Sequence, residues 1–233
     1  MEVEVCANGL KSAKVAQQAG ADRIELCREL SVGGLSPGPE LIDKVMGTVN
    51  IPVHVLIRPR AGNFCYSDLE FEKMLGEVEY CKARGCAGIV CGLLTPKGDL
   101  DIGRMNVLLQ RAGHLDFTFH RAFDVSSDPL SLLEGLVKLG VTRVLSSGKK
   151  ASAEDGILLL KRMKERFDNH LQIMPGGGID HQNILRFKEA GFSAIHLSAI
   201  KKENEDPTSL FNKPVSGHTD PGILNKVVGI AKS

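Results

Sequence analysis

Residues 53–93 contain one complete unit of the predicted fold: VHVLIR (53–58), DLEFEKMLGEVEYCKAR (68–84) and GIVCGL (88–93). The first and third segments are short apolar runs rich in Val and Ile, a composition that favours strands. The middle segment predicts a helix, with Asp68 as its N-cap and Gly85 as its C-terminal stop. A strand, a helix and a second strand in this order indicate a β-α-β unit with parallel strands.

The same alternation runs through the whole chain of 233 residues. The other strand candidates are Val3–Ala7, Arg23–Cys27, Phe117–Phe123, Arg143–Ser147, Leu171–Met174 and Ala194–Ser198. The other helix candidates are Ser131–Leu139, Ala153–Phe167, Gln182–Ala190 and Asp220–Lys232. This α/β pattern predicts a single-domain (β/α)8 TIM barrel over residues 1–233, with an irregular loop at about 201–218 before the last helix. A doubly wound open sheet is the alternative, although the sequence lacks its dinucleotide-binding glycine pattern.

Composition narrows the class of partner. The chain has 29 Lys and Arg against 28 Asp and Glu, a balance that argues against nucleic-acid binding. No apolar run approaches the ~20 residues that cross a bilayer, and the first four residues, MEVE, are acidic. We therefore expect a cytoplasmic protein without a membrane partner. Its six cysteines include no CxxC pair, so free thiols are expected rather than disulfides or a zinc site.

The strand patterns place unusually polar side chains on the inner face of the barrel. Alternation along the strands puts these residues inward: Glu4, Cys6, Glu25, Cys27, His54, Arg58, His120 and His196. A barrel interior is normally filled by branched aliphatic side chains. One interpretation is a structural ion network formed by Glu4, Glu25, Arg23 and Arg58. The other, which we favour, is a ligand pocket at the C-terminal mouth, because the polar residues cluster toward the strand C-termini.

Several motifs, taken in order, carry a family resemblance. They are EVCA (4–7), GADRIELC (20–27), GG (33–34), IRPR (57–60), NF (63–64), TFHRAFD (118–124), RVLSSG (143–148) and MPGGG (174–178). Together they resemble the copper homeostasis protein CutC family from residue 2 to about residue 198. The resemblance implies a TIM barrel, a cytoplasmic location, a homo-oligomer (dimer or tetramer) and a role in intracellular copper handling. Asn63 departs from the pattern, in which Asp is frequent, so no acid–base role is expected there.

The first functional hypothesis is Cu(I) binding by Cys6 and Cys27. These cysteines close the first and second strands on the same inner face. Adjacent strands lie about 4.8 Å apart, so both thiolates could reach one ion. Soft thiolate ligands select Cu(I). The resemblance implies the same two cysteines as copper ligands; the alternative is a pair of inert thiols lining the mouth.

The second hypothesis is an enzyme acting on a small anionic substrate that carries a phosphate or carboxylate. Gly176, Gly177 and Gly178 follow the seventh strand and precede a helix beginning near His181, a place where barrels often bind phosphate. Glu25 is the candidate general base and His120 the candidate general acid. The other ligand-binding candidates are Arg58, Arg60, Arg121, Asp124, Ser147 and His196. No reaction can be assigned. The alternatives are a plain tight turn for the glycines and a core histidine for His120.

A third hypothesis is an interaction scaffold that uses the exterior of the barrel. The sequence offers little support for it, since it contains no block of like charge and no Trp. It is retained because a fold does not determine a function.

Overall fold

Eight parallel strands form the wall of a barrel in the computed structural model, which describes residues 1–167, 169–200 and 217–233. The strands are β1 (Glu2–Ala7), β2 (Arg23–Leu26), β3 (Val53–Leu56), β4 (Gly88–Cys91), β5 (Asp116–Phe119), β6 (Arg143–Ser146), β7 (Gln172–Pro175) and β8 (Ala194–Leu197). The helices are α1 (Leu10–Gln18), α2 (Pro39–Met46), α3 (Asp68–Ala83), α4 (Ile102–Ala112), α5 (Pro129–Lys138), α6 (Ile157–Phe167), α7 (Ile184–Glu189) and α8 (Pro221–Lys232). One helix follows each strand, so the predicted (β/α)8 pattern is confirmed.

The strand order settles the choice between a barrel and an open sheet. Each strand pairs with the next from β1 to β7, and β8 pairs with β1. Between β7 and β8, the described residues form an isolated parallel bridge from Gly176 to His196, which leaves the ring nearly closed. A doubly wound sheet would reverse its strand order at a switch point. No such reversal occurs, and the alternative of an open sheet is wrong.

Local signals explain where several helices begin. The side chain of Ser67 accepts a hydrogen bond from the backbone N–H of Glu70, and the carboxylate of Glu70 accepts one from the N–H of Ser67. This capping box makes Ser67 the N-cap, so the prediction of Asp68 is wrong by one residue. Asp128 and Asp220 cap α5 and α8, each followed by a proline whose fixed φ suits the first helical position.

Two predicted boundaries differ more from the structure. The predicted strand Phe117–Phe123 is too long, because β5 ends at Phe119 and a 3₁₀ turn spans Arg121–Val125. This turn is stabilised because His120 Nδ1 accepts a hydrogen bond from Ala122 N. Helix α6 begins at Ile157 rather than Ala153, and in the loop before it Ser147 and Gly156 approach each other closely. The predicted irregular loop at 201–218 lies outside the described residues except for its last two.

The apolar residues form an outer layer and two inner clusters. The outer layer packs the outward faces of the strands against the helices and includes Phe117, Phe119 and Phe187. Inside the barrel, one cluster contains Cys6, Cys27, Leu56 and Val90, and another contains Leu145, Met174 and Ala194. The inner clusters occupy the positions that strand alternation predicts. In the described part of the chain, no helix is long and apolar enough to span a bilayer.

Candidate functional site

A cavity of about 430 Å³ lies at the carboxyl ends of the strands, within the size range of small-molecule sites. The predicted site residues that line it are Cys6, Glu25, Arg58, His120, Arg121, Gly177, Gly178 and His196. The other predicted residues, Cys27, Arg60, Asp124, Ser147 and Gly176, lie behind or beside this lining. The structure thus gathers most of the predicted site around one cavity.

Cys6 and Cys27 form a buried pair of thiols. The Cys6 Sγ and Cys27 Sγ atoms are 3.5 Å apart, which confirms the expected approach of the two side chains. The register explains this contact: β1 and β2 are adjacent, and the Cys27 N–H continues the ladder by donating to the carbonyl of Ala7. The hydrogen bond with Cys27 and burial both raise the pKa of the Cys6 thiol well above its usual value. Without a ligand, Cys6 is therefore a thiol at neutral pH.

His196 on β8 is oriented by a buried carboxylate. Its Nδ1 atom lies 2.8 Å from Glu4 Oε1 on β1. A carboxylate accepts here, so Nδ1 carries the proton and Nε2 remains for the cavity. Burial alone would raise the pKa of Glu4, but His196 and Arg23 lower it well below its usual range. Burial opposes ionisation of His196, yet Glu25, Cys6 and Glu4 together raise its pKa well above the usual value.

Glu25 on β2 completes a compact group with Cys6 and His196. One potential ligand atom from each of the three residues lies within 4.8 Å of the others. Glu25 Oε1 is 3.7 Å from Cys6 Sγ, whereas Glu25 Oε2 is buried without a hydrogen-bond partner. Burial raises the pKa of Glu25 to about 7. A thiolate pair with a nearby imidazole is a donor set that suits Cu(I); the carboxylate is a harder ligand.

His120 presents a neutral imidazole to the cavity. Its side chain is buried, and burial lowers its pKa to about 3, with a further contribution from the positive charge of Arg58. Because Nδ1 accepts from the N–H of Ala122, the ring proton resides on Nε2. Nε2 is buried without a partner. His120 is therefore placed as a hydrogen-bond donor that stays uncharged at neutral pH.

The two arginines after β3 differ in position. Arg58 is buried and lines the cavity, with its guanidinium donating to the carbonyls of Val32, Gly34 and Gly62. Arg60 is turned away. Its Nε donates to Glu70, and its other nitrogens donate to the loop at residues 61–65. The structure therefore does not bring Arg60 to the cavity, because its donors are occupied within its own loop.

Arg121 is held at the cavity by a polar network. Its Nε donates to Asp124 Oδ2 at 2.8 Å, and its Nη2 donates to Ser147 Oγ at 2.7 Å. Asp124 Oδ1 also accepts from Ser146 Oγ at 2.6 Å and from the backbone N–H of Lys149 at 3.1 Å. Asp124 thus ties the turn after β5 to the loop after β6. It also orients Arg121 through the hydrogen bond that its Nε donates.

The three glycines after β7 allow close approach of the backbone. Gly176 lies beside Leu145 and His196, and a Cβ there would come within 2.4 Å of the Leu145 side chain. Gly177 and Gly178 have φ angles of 110° and 73°, a region that glycine tolerates best. A Cβ on Gly177 would lie 3.4 Å from Arg121 Nη1. The following helix α7 has six residues and begins at Ile184, later than predicted.

Sequence reasoning missed several residues of the cavity wall. They are Leu30, Phe64, Leu145, Ile179, His181 and Ile223. Four of them lie in loops or turns, where no strand or helix period marks a side chain as inward. Phe64 packs against His120 with ring centroids 4.8 Å apart and also underlies the Arg58 guanidinium. Its position in the NF motif (63–64), shortly after IRPR (57–60), was a weak signal that it belongs to the mouth.

Comparison with sequence families and relatives agrees with this architecture. A model of the CutC family matches residues 1–201. The family protein CutC of Pasteurella multocida (strain Pm70) is 46% identical over 199 residues, which cover 85% of this chain and 82% of the relative. The family protein CutC of Proteus mirabilis (strain HI4320) is 42% identical over 201 residues, with coverage of 86% and 80%.

Solved structures include both a relative and more distant barrels. A Streptococcus agalactiae protein, described provisionally as copper homeostasis protein CutC, has a TM-score of 0.81 and 32% identity, covering 86% of this chain and all of its own. Thiamine phosphate pyrophosphorylase of Pyrococcus furiosus has a TM-score of 0.64 at 14% identity, covering 99% of this chain and 95% of its own. The latter likeness shows the fold alone. The family model and the relatives agree over most of the length, and the chain belongs to the CutC family.

Proposed function

We propose that this protein takes part in copper homeostasis by binding Cu(I) through the thiolates of Cys6 and Cys27. The observation that carries the proposal is the 3.5 Å separation of the two Sγ atoms inside the barrel. The Streptococcus agalactiae relative is named for copper homeostasis, which favours the same role here. Copper would be the cargo of this protein, since the proposed role concerns its handling in the cell.

The surroundings of the two thiols suit a soft cation. Thiolate ligands select Cu(I) over the harder divalent ions, and apolar Leu56 and Val90 pack beside both cysteines. His196 lies near Cys6, and its Nε2 would become a ligand once the incoming cation displaces its proton, because Glu4 occupies Nδ1. This arrangement, in which a carboxylate orients a histidine, is common around metal ligands. Cys6 lines the cavity, so an ion can reach the pair from the mouth.

The test is an anaerobic Cu(I) titration against a competing chelator. The wild type is compared with the Cys6→Ser, Cys27→Ser double variant, for which we expect loss of tight one-per-chain binding. The chain offers a matched control, because Cys81 and Cys86 are also two buried thiols in mutual contact. They lie at the end of α3 and before β4, at the amino end of the strands. The Cys81→Ser, Cys86→Ser variant should bind copper as the wild type does.

Two results would overturn the copper proposal. The first is an unchanged Cu(I) stoichiometry and affinity in the Cys6→Ser, Cys27→Ser variant. The second is loss of binding in the Cys81→Ser, Cys86→Ser variant alone. Circular dichroism of both double variants establishes that each one folds, so that a loss of binding reports the ligands themselves.

A second candidate function is an enzyme acting on a small anionic substrate, with Glu25 and His120 at the reacting atoms. The observation that favours it is that Glu25 Oε2 and His120 Nε2 are both buried, both lack a partner and both belong to residues lining the cavity. Buried polar groups without partners are rare in folded proteins, and binding of a ligand would satisfy them. In this role His120 donates a hydrogen bond to substrate from its neutral ring.

This candidate is tested by incubating the protein with mixed phosphorylated and carboxylated metabolites and following their consumption by NMR. We expect one compound to disappear with the wild type and to persist with Glu25→Gln or His120→Leu. If the wild type consumes nothing, or if both variants act at the wild-type rate, the cavity performs no such chemistry.

The assembly and location of the protein also stay predictions. We expect a homo-oligomer, and Leu69 and Leu158 are 85% and 73% exposed on the surface of the isolated chain. Sedimentation velocity would distinguish a monomer, which contradicts the prediction, from a dimer or tetramer. We also expect a cytoplasmic location, where the six free cysteines stay reduced; cell fractionation tests it.

A further inference from the structure

Arg58 brings an uncompensated positive charge to the cavity. Its three hydrogen-bonded partners are backbone carbonyls, and no carboxylate in the described residues forms an ion pair with it. Its side chain is buried, and its Nε has no partner. Carbonyl dipoles accept from three of its five N–H groups but do not cancel a net charge. Because a buried charge without a counter-ion is costly, Arg58 favours an anion in the adjoining cavity.

Arg121 offers a free edge of its guanidinium to the same cavity. Asp124 and Ser147 occupy Nε and Nη2 and fix the plane of the group. Nη1 has no hydrogen-bond partner among the residues that the structure describes, and Nη2 retains a second N–H. This pair of nitrogens forms the fork that binds a carboxylate or phosphate through two parallel hydrogen bonds. Because Gly177 has no side chain, the space beside Nη1 that a Cβ would fill, at 3.4 Å, stays open.

His120 adds an uncharged hydrogen-bond donor to the cavity that the two arginines line. Its Nε2–H is buried, lacks a partner and belongs to a residue on the cavity lining. Phe64 links it to Arg58: the guanidinium lies 5.0 Å from the Phe64 ring centroid, and the His120 ring packs against the same side chain. A donor that carries no charge can bind a carbonyl or phosphoryl oxygen without a proton transfer.

We propose that this cavity binds a small organic oxyanion, whose carboxylate or phosphate group is held by Arg121 and Arg58 while one of its oxygens accepts from His120 Nε2. The apolar side chains of Leu145 and Ile179 line the cavity and would contact the rest of the molecule. The site deepens the second candidate function by naming the groups that hold the anion, but it requires no turnover and would stand if Cys6 and Cys27 bound no metal.

The acidic side chains on the lining do not fill this role. Glu25 approaches the thiol of Cys6, on the β1–β2 side of the ring. Asp180 accepts a hydrogen bond from the backbone N–H of Gln182 and supports the turn after the glycines. In an eight-stranded ring, β5, which leads into His120 and Arg121, lies across from β1. Arg121 and His120 therefore lie across the ring from β1, whereas Arg58 follows β3, the neighbour of β2.

The test is isothermal titration with inorganic phosphate and with malonate at constant ionic strength. We expect saturable one-per-chain binding to the wild type, weakened by about tenfold or more in Arg121→Met through loss of the two-pronged contact. Arg121 is partly exposed, so this variant should fold. Arg166→Met is the matched control, because Arg166 also pairs with a carboxylate, that of Glu134, far from the cavity on α6. It should bind both probes as the wild type does.

Two further variants separate anion binding from effects on folding and from copper binding. The Ser147→Ala variant removes one anchor of Arg121 without removing its charge, and we expect weaker binding than wild type but tighter than Arg121→Met. The Cys6→Ser, Cys27→Ser variant should bind both probes normally, whatever its copper affinity. The proposal is overturned if the wild type binds neither probe at millimolar concentration, or if Arg121→Met binds both as tightly as the wild type.

Discussion

Glu4 Oε1 lies 2.8 Å from His196 Nδ1, while Glu4 Oε2 accepts a hydrogen bond from Arg23 Nε. One fully buried carboxylate thus connects β1 with both of its neighbours, β8 and β2. The Cα register makes this direct, because Glu4 stands opposite His196 on one side and Arg23 on the other. Of the interior ion network considered from the sequence, the described residues form the Glu4–Arg23 pair, whereas Glu25 approaches Cys6 and Arg58 donates to backbone carbonyls. The Glu4 carboxylate also orients His196, a residue of the cavity.

Replacing Glu4 should cost far more stability than replacing Glu2. In Glu4→Gln, the buried Arg23 and His196 lose their counter-charge, and we expect the free energy of unfolding to fall by about 3–5 kcal/mol. Glu2 also pairs with Arg23, but its side chain is 48% exposed, so Glu2→Gln should cost about 0–1 kcal/mol. Urea unfolding measures both. Equal losses for the two variants would contradict a special role of the buried carboxylate.

His120 should make the stability depend on pH in the acidic range. Burial lowers its folded pKa to about 3 from an unfolded value of 6.5, so between these values the unfolded chain binds one more proton. Stability contributed by the neutral ring is thus present above pH 6.5 and is lost as pH falls. From pH 7 to pH 5 this group alone removes about 2 kcal/mol.

The measurement is urea unfolding at pH 7 and pH 5 for wild type and His120→Gln. Because Gln does not titrate, the variant should lose about 2 kcal/mol less stability than the wild type on acidification. His114→Gln is the control, since His114 is exposed, and it should follow the wild type. A His120→Gln variant with the same pH dependence as the wild type would show that His120 is not buried in its neutral form.

Gly156 should not tolerate a side chain. A Cβ at this position would lie 1.9 Å from the carbonyl oxygen of Ser147, so the loop after β6 must move. We expect Gly156→Ala to lower the free energy of unfolding by about 1–3 kcal/mol. A Cβ on Gly229 in α8 would meet nothing within 4 Å, and Gly229→Ala should add about 0.5–1 kcal/mol. Thermal unfolding compares the two; a neutral Gly156→Ala would contradict the close approach.

Asp124 should control the order of the loop after β6. The Asp124→Asn variant keeps the size of the side chain but weakens an acceptor that serves the backbone N–H groups of Ser147 and Lys149. We expect hydrogen exchange of both amides to accelerate by about tenfold, the equivalent of about 1.4 kcal/mol. Asp155→Asn, an exposed change in the same loop, should leave these two amides unaffected. Unchanged exchange in Asp124→Asn would show that other contacts hold the loop.

The barrel could be predicted because each β-α unit carries its own signals. In residues 53–93, the Val- and Ile-rich ends and the amphipathic centre give β3, α3 and β4 within a few residues of their observed bounds. The sequence prediction did not include α1, α2 or α4, although α4, with 11 residues, is as long as the predicted α6. The turn at Arg121–Val125 was predicted as part of a strand because Ala122 and Phe123 continue the apolar run of β5, and both residues are buried in the structure.

The site was less predictable because its contacts cross the barrel. Strand alternation correctly turned Cys6, Glu25 and His196 inward. Nothing in the sequence indicates that Arg58 donates to carbonyls of the loop after β2, whereas Arg60, two residues later, pairs with Glu70. That difference depends on where separate loops meet in space. For the same reason, Leu30 and Ile223 line the cavity although they are distant in sequence.

The bridge between Gly176 and His196 connects the closure of the barrel with the cavity at its mouth. In the described residues this bridge joins β7 to β8, and its second residue, His196, has an imidazole that faces Cys6 and Glu25. A ligand that contacts the ring of His196 contacts the same residue whose backbone bridges Gly176. The cavity and the closure of the barrel therefore share one residue, and a ligand at the mouth would contact the strand that completes the ring.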